Sequence, residues 1–229
     1  MPRSAKPPAE SKPRTPARRK STTAKKPRTR ARKAPKAAAS KAAPSLKGLT
    51  FHPVDSSHWK DFERLFEAPS APKYCWCMAW RTQGKEAREF SSADRKAAMH
   101  ARVKKRVPVG ILGYLDGAPV AWCSIAPRPT YRGNLGGPTV DGEKPEKVWS
   151  LACFFIPRAL RGLGMTPRLI SAAVAHARKH GATVVEAYPV DADSPSYRFM
   201  GFVPVFEAAG FQDVGLAGSR RHVMRLALS

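Results

Sequence analysis

Arg161-Gly162-Leu163-Gly164-Met165-Thr166 is the stretch of this chain whose residue types and spacing best suit chemistry. It follows the apolar run 148–156 and opens a helix at Pro167. A strand that feeds a glycine-containing turn and then a helix leaves backbone N–H groups unpaired at the helix start. The aligned peptide dipoles add about half a positive charge there. Glycine lets a ligand approach the backbone closely. The pattern predicts an anion site. Two common phosphate loops are excluded: no Lys-Ser/Thr pair stands in the P-loop position, and the glycines miss the Gly-x-Gly-x-x-Gly spacing.

The elements that must position this turn are legible on both sides of it. Residues 49–54 predict a first strand, and Asp55 or Ser56 a cap for a short helix through Trp59, Phe62, Leu65 and Phe66, which keep helical spacing. Pro69 and Pro72 end it, and a second helix is expected over 92–105. Residues 109–115 and 119–125 flank Asp116-Gly117, a hairpin signal. Residues 127–147, rich in Gly and Pro, predict a loop near a site. The near-continuous apolar character of 148–156 predicts a central strand. The helix 167–180 buries Leu169, Ile170, Ala173, Val174 and Ala177, with Thr166 as its expected N-cap. A short strand (183–188), an irregular connection (189–201), a short helix (203–209) and strands near 212–216 and 222–228 complete the chain.

That order resembles the GNAT superfamily of acyl-CoA-dependent N-acetyltransferases over about residues 49–229. Arg161 and Gly164 match its Gln/Arg-x-x-Gly-x-Gly/Ala motif, and Thr166 takes the last place. The run Phe154-Phe155-Ile156-Pro157-Arg158-Ala159-Leu160-Arg161 leads into the turn as in that family. Val205-Phe206-Glu207-Ala208-Ala209-Gly210-Phe211 resembles its C-terminal Leu-Tyr-Glu-Lys-x-Gly-Phe phrase. The resemblance implies an α/β (α+β) fold, a central mixed and mostly antiparallel sheet flanked by helices, and acetyl-CoA as acyl donor. It implies that the backbone at Phe155 and Ile156 pairs with the pantetheine arm. It implies too that the N–H groups of Gly162, Leu163, Gly164, Met165 and Thr166 hold the pyrophosphate and that Arg161 adds charge.

Acetyl transfer to an amine needs a deprotonated nucleophile, a polarised thioester carbonyl and a protonated leaving thiolate. Many family members supply the last proton from a tyrosine in the C-terminal phrase; here that position is Phe206. Tyr188 and Tyr197 lie upstream and are candidate acids. Glu186, in an apolar strand where a carboxylate is costly unless paired, is a candidate base. The phrase Tyr74-Cys75-Trp76-Cys77-Met78-Ala79-Trp80-Arg81 has three readings. They are half of a metal site completed by Cys123, Cys153 or a histidine, an aromatic wall of the acceptor pocket, and plain core packing. Cys-x-Cys is not the usual zinc spacing and no second paired cluster exists, so no metal is expected.

The chain has 229 residues and a net charge of +24, unevenly spread. Residues 1–47 hold 16 Lys/Arg and one acid, Glu10, and no aromatic side chain stands in the first fifty. Such a segment cannot bury enough apolar surface to offset its ordering entropy, which predicts a disordered tail over 1–48 and one globular domain over 49–229. The tail's composition resembles that of linker-histone tails and suits non-specific, salt-sensitive contact with nucleic acid. No apolar run approaches a membrane span, and no secretory signal is evident. Free thiols and a cytoplasmic location are therefore expected. The function expected is transfer of acetyl from acetyl-CoA to the primary amine of a small molecule or protein, directly within a ternary complex. The alternative is a nucleic-acid-associated protein whose degenerate domain only binds CoA or another ligand.

Overall fold

The computed structural model describes residues 45–228. The expected tail lies outside the described residues except for 45–48, and there the chain is already packed. Leu46 is buried in the largest apolar cluster, and its carbonyl accepts a hydrogen bond from Nη1 of Arg168 at 2.8 Å.

The order is β1 (Thr50–Pro53), α1 (Trp59–Glu67), α2 (Gly84–Glu89), α3 (Ser92–Lys104), β2 (Ile111–Leu115) and β3 (Ala118–Pro127). Then come β4 (Val148–Phe155), α4 (Met165–Lys179), β5 (Val184–Ala187), α5 (Val203–Glu207), β6 (Gln212–Ala217) and β7 (Arg221–Ala227). The strands form one seven-stranded sheet in the order β1-β2-β3-β4-β5-β7-β6. Only β4 and β5 run parallel; the other neighbours are antiparallel. This is the mixed, mostly antiparallel sheet that the family resemblance implies.

Local chemistry accounts for the element ends. Ser91 and Asp94 form a reciprocal capping box at the start of α3, each side chain accepting from the other's backbone N–H. Asp116 and Gly117, both at positive φ (50° and 75°), turn the β2–β3 hairpin with the twist that strands prefer. Helix α4 starts earlier than expected. Its N-cap is Gly164, left-handed at φ 78°, and Thr166 lies inside the first turn without capping it. Pro167 is tolerated as the third helical residue because an N–H there has no intrahelical acceptor to lose. The sequence gives no sign of α2, since none of its residues is buried and it carries no apolar stripe. The 127–147 connection contains three short 3-10 turns.

Two layers cover the sheet. Leu169, Ile170 and Ala173 of α4 pack with Leu151 and Val185 on one face. Phe62 and Phe66 of α1 and Met99 of α3 pack with Leu112 and Trp122 on the other. Each fully buried large apolar side chain contributes about 1.5–3 kcal/mol relative to exposure. A third cluster on that second face joins Ala126, Tyr131, Leu135, Ala152, Tyr188 and Met200.

The sheet opens at one place. Ser124 pairs with Cys153 and Ile125 with Leu151, so Ala152 is an extra residue in β4. Such a bulge bends its strand. The parallel pairing of β4 with β5 ends at the same point, at Leu151 opposite Ala187. From there β4 runs on to Phe155 paired with β3 alone.

Candidate active site

The turn at the start of α4 has the properties of an anion cradle. Gly162 and Gly164 take left-handed backbone angles (φ 77° and 78°), and an added Cβ at either would meet nothing within 4 Å. Glycine is thus required by conformation, and the space above it is open. Among the described residues no acceptor faces the backbone N–H of Gly162, Leu163 or Gly164. The N–H groups of Met165 and Thr166 belong to the first helical turn, where none has an intrahelical partner. No acid occupies that turn. Arg161 is tied back by Nε to the carbonyl of Ile156 at 2.9 Å, which fixes its positive charge where the strand ends and the turn begins.

The cradle stands at the end of the opening in the sheet. Beyond Leu151, alternate backbone groups of β4 face away from β3, as in an edge strand. Among the described residues, no backbone hydrogen bond from the connection after β5 reaches residues 152–156. Phe155 turns its side chain into the α1–α3 layer, and Ile156 packs with the α4 layer, so both are held by their side chains. Residues 155–166 thus combine an extended edge with a row of free N–H donors, which fits a ligand with an amide-bearing arm and a pyrophosphate.

Of the three acid–base candidates, the structure brings Glu186 and Tyr188 together and places Tyr197 elsewhere. Glu186 is fully buried on β5. Its Oε2 is 2.7 Å from Nε of Arg225, its Oε1 is 3.5 Å from Nε of Arg128, and the Tyr188 hydroxyl donates to Oε1. Arg225 also donates to the carbonyls of Pro138 at 2.6 Å and Thr139 at 3.2 Å. Arg128 donates to the carbonyl of Gly137. A buried carboxylate is costly unless paired, and here two guanidiniums and a phenol supply the pairing. Burial and then the Glu186 charge hold the Tyr188 phenol well above its ordinary value. Tyr197 is 37% exposed, left-handed at φ 58°, with its ring 6.1 Å from that of Trp80 and the Arg221 guanidinium 5.5 Å from its centroid. Phe206 is fully buried, its ring 6.2 Å from Phe154 and 5.2 Å from Phe211.

The Tyr74–Arg81 phrase divides between two of its readings. Tyr74 is exposed, Trp76, Cys77 and Met78 are core, and Trp80 alone lines a cleft. Trp76 and Cys77 are both left-handed (φ 46° and 56°). The Cys77 sulfur receives hydrogen bonds from Nε1 of Trp122 at 3.3 Å and from Nη1 of Arg81 at 3.8 Å. The neighbouring Cys153 thiol, the Arg81 charge and the polar groups of Ser124 and Trp122 outweigh burial and hold this thiol below its ordinary value, at about 6. All four cysteines are free, and among the described residues no group of three or more His, Cys, Asp or Glu could hold a metal.

The acetyltransferase (GNAT) family model matches residues 55–202, and the chain belongs to that family. Searching curated proteins returned no match. Among solved structures, an uncharacterized protein from Bacillus halodurans aligns at 16% identity and TM-score 0.50, covering 78% of this chain and 83% of its own. The Salmonella typhimurium protein yncA, solved with its cofactor acetyl-CoA, aligns at 17% identity and TM-score 0.48, covering 79% and 94%. An N-acetyltransferase from Staphylococcus aureus aligns at 9% identity and TM-score 0.48, covering 79% and 99%.

The four arginines around the site, Arg128, Arg132, Arg221 and Arg225, escape a reading of the sequence. They come from the 127–147 connection and from β7, which only the folded sheet brings together. The one signal was the richness of that connection in Gly and Pro.

Proposed function

We propose that this protein is an acetyl-CoA-dependent N-acetyltransferase acting on a primary amine. The observation that carries the reading is the juxtaposition of the free N–H cradle at residues 162–166 with the unpaired edge of β4. The cradle and Arg161 would hold the pyrophosphate, and the edge at Phe155 and Ile156 would pair with the pantetheine amides. The thioester is already activated, so the amine attacks its carbonyl carbon directly. A C–N bond forms, the C–S bond breaks, and the proton lost from the amine balances the one gained by the CoA thiolate. Backbone N–H groups of the opened edge suit stabilisation of the carbonyl oxygen as charge develops on it.

Tyr197 is the preferred proton donor, because its phenol is accessible while Glu186 and Tyr188 are sealed in a buried network. The network is better suited to positioning, since it locks β5 to the 127–147 connection and to β7. The test is calorimetric titration of the full chain with acetyl-CoA, together with thiol release in the presence of amines. Gly164→Glu should abolish binding in a folded protein, because it puts bulk and negative charge into the cradle. Unchanged affinity in that variant would overturn the reading. Phe206, which has no proton to give, favours a second reading, a domain that binds CoA without transfer; acetyl-CoA binding with no turnover of any amine would select it.

A further inference from the structure

Trp80 floors an open cleft of about 390 Å³ lined by Gln83, Arg132, Leu135, Gly136 and Arg221. Two guanidiniums lie within cation–π distance of its indole, Arg221 4.6 Å and Arg132 5.1 Å from the ring centroid. Arg221 also lies 5.9 Å over the Tyr188 ring, and its Nη1 is anchored on the Leu135 carbonyl at 2.9 Å. Among the described residues neither Arg132 nor Arg221 has a carboxylate within ion-pairing distance. Burial, and the Arg132 charge with it, pull the Arg221 guanidinium below its ordinary value.

These two like charges repel each other across a half-buried cleft that offers them no carboxylate among the described residues. A bound oxyanion relieves that repulsion, because it accepts from both guanidiniums. The cleft also lies where an acceptor would enter. Leu135 and Trp80 belong to the same apolar cluster as Ala152 and Tyr188, which mark the opening between β4 and β5. That cluster is on the face opposite α4, so a donor held at the α4 turn and a ligand in this cleft would approach the opening from opposite sides.

We infer that the acceptor is a small primary amine that also carries an oxyanion, a carboxylate or a phosphate, gripped by Arg132 and Arg221 over Trp80. This rests on the acetyltransferase reading above. The cleft is at the small end of ligand sites in volume, and its uncompensated positive charge disfavours polyamines and other polycationic amines.

The test uses the full chain with acetyl-CoA, and a panel of glycine, glutamate and phenylalanine, their carboxamides, O-phosphoethanolamine and spermidine. The amine of at least one amino acid or of O-phosphoethanolamine should be acetylated, with a KM at least tenfold below that of the carboxamides; which of the two classes wins identifies the oxyanion. Arg132→Gln and Arg221→Gln should each raise that KM tenfold or more with acetyl-CoA affinity unchanged, the KM of the carboxamides should stay the same in Arg132→Gln, and Arg221→Lys should restore part of the loss. Retained acetyl-CoA affinity in these variants shows that they fold. Equal use of acids and amides, preference for spermidine, or acetyl-CoA binding with no panel member turned over overturns the oxyanion assignment and leaves donor binding standing. Failure of the wild-type chain to bind acetyl-CoA overturns both.

Discussion

A Cβ added to Gly137 would lie 2.6 Å from Oε1 of Glu186 and 3.2 Å from Nη2 of Arg128. The connection between β3 and β4 is therefore closed over β5 with no room for a methyl group, and the closure is made by ion pairs rather than by apolar contact. A residue far from Glu186 in sequence sets how tightly its carboxylate is clamped.

The first expected outcome follows from that contact. Gly137→Ala should destabilise the protein by about 1–3 kcal/mol, the usual cost of overpacking, because backbone and two charged groups must shift. Glu186→Gln should cost more, about 3–5 kcal/mol, since it leaves the buried Arg128 and the partly buried Arg225 facing a neutral amide. Denaturant melts of the two variants check both magnitudes and their order.

Proton transfer separates the two tyrosines. Tyr197→Phe should lower kcat at saturating acetyl-CoA by about 10²–10⁴-fold, the typical contribution of a positioned acid, with little change in the melting curve. Tyr188→Phe should do the reverse and lower stability, because its hydroxyl bridges Glu186 and Ser150 at the sheet. Full kcat in Tyr197→Phe would remove Tyr197 from the chemistry and leave water-relayed proton transfer as the preferred route.

Stability should fall in mild acid through His176. Burial first, and then the charges of His180 and Lys179, hold its imidazole down at about 4 against an ordinary 6.5. The unfolded chain then binds a proton that the folded one refuses, so stability rises with pH across this window. The contribution is fully present above 6.5 and is lost as pH falls through 4. His176 is half-buried against Trp149, at 5.5 Å between rings, so solvent screening leaves about 1–2 kcal/mol. His176→Gln should flatten the melting temperature over that range, as read by melts at closely spaced pH values.

The basic segment 1–47 motivates a last expectation, that the full chain binds duplexes of unrelated sequence about equally, with affinity falling steeply with salt. Residues 45–229 should bind far more weakly. Filter binding at two salt concentrations decides it, and equal affinity with and without the segment would assign the charge run a solubilising role.

What the sequence determined by itself was local. The Gly162–Gly164 spacing, the apolar run before it and the helical stripe of Leu169, Ile170 and Ala173 are patterns within one strand–turn–helix unit, so they specify that unit without help from the rest of the chain. The hairpin at Asp116-Gly117 was legible for the same reason, as its backbone angles are properties of those residue types. The tertiary structure alone decided the rest. Thr166 satisfies the local rule for an N-cap, yet left-handed Gly164 takes that place. Helix α2 has no buried face and so no periodic signal. Glu186 and Tyr188, two residues apart, became a sealed network only because arginines from β7 and from the β3–β4 connection converge on them. Trp80, Arg132 and Arg221 formed one cleft for the same reason. Pairing of charges and rings across a sheet depends on which strands become neighbours, and the order β4-β5-β7 is settled by packing of the whole core rather than by any residue's own preference.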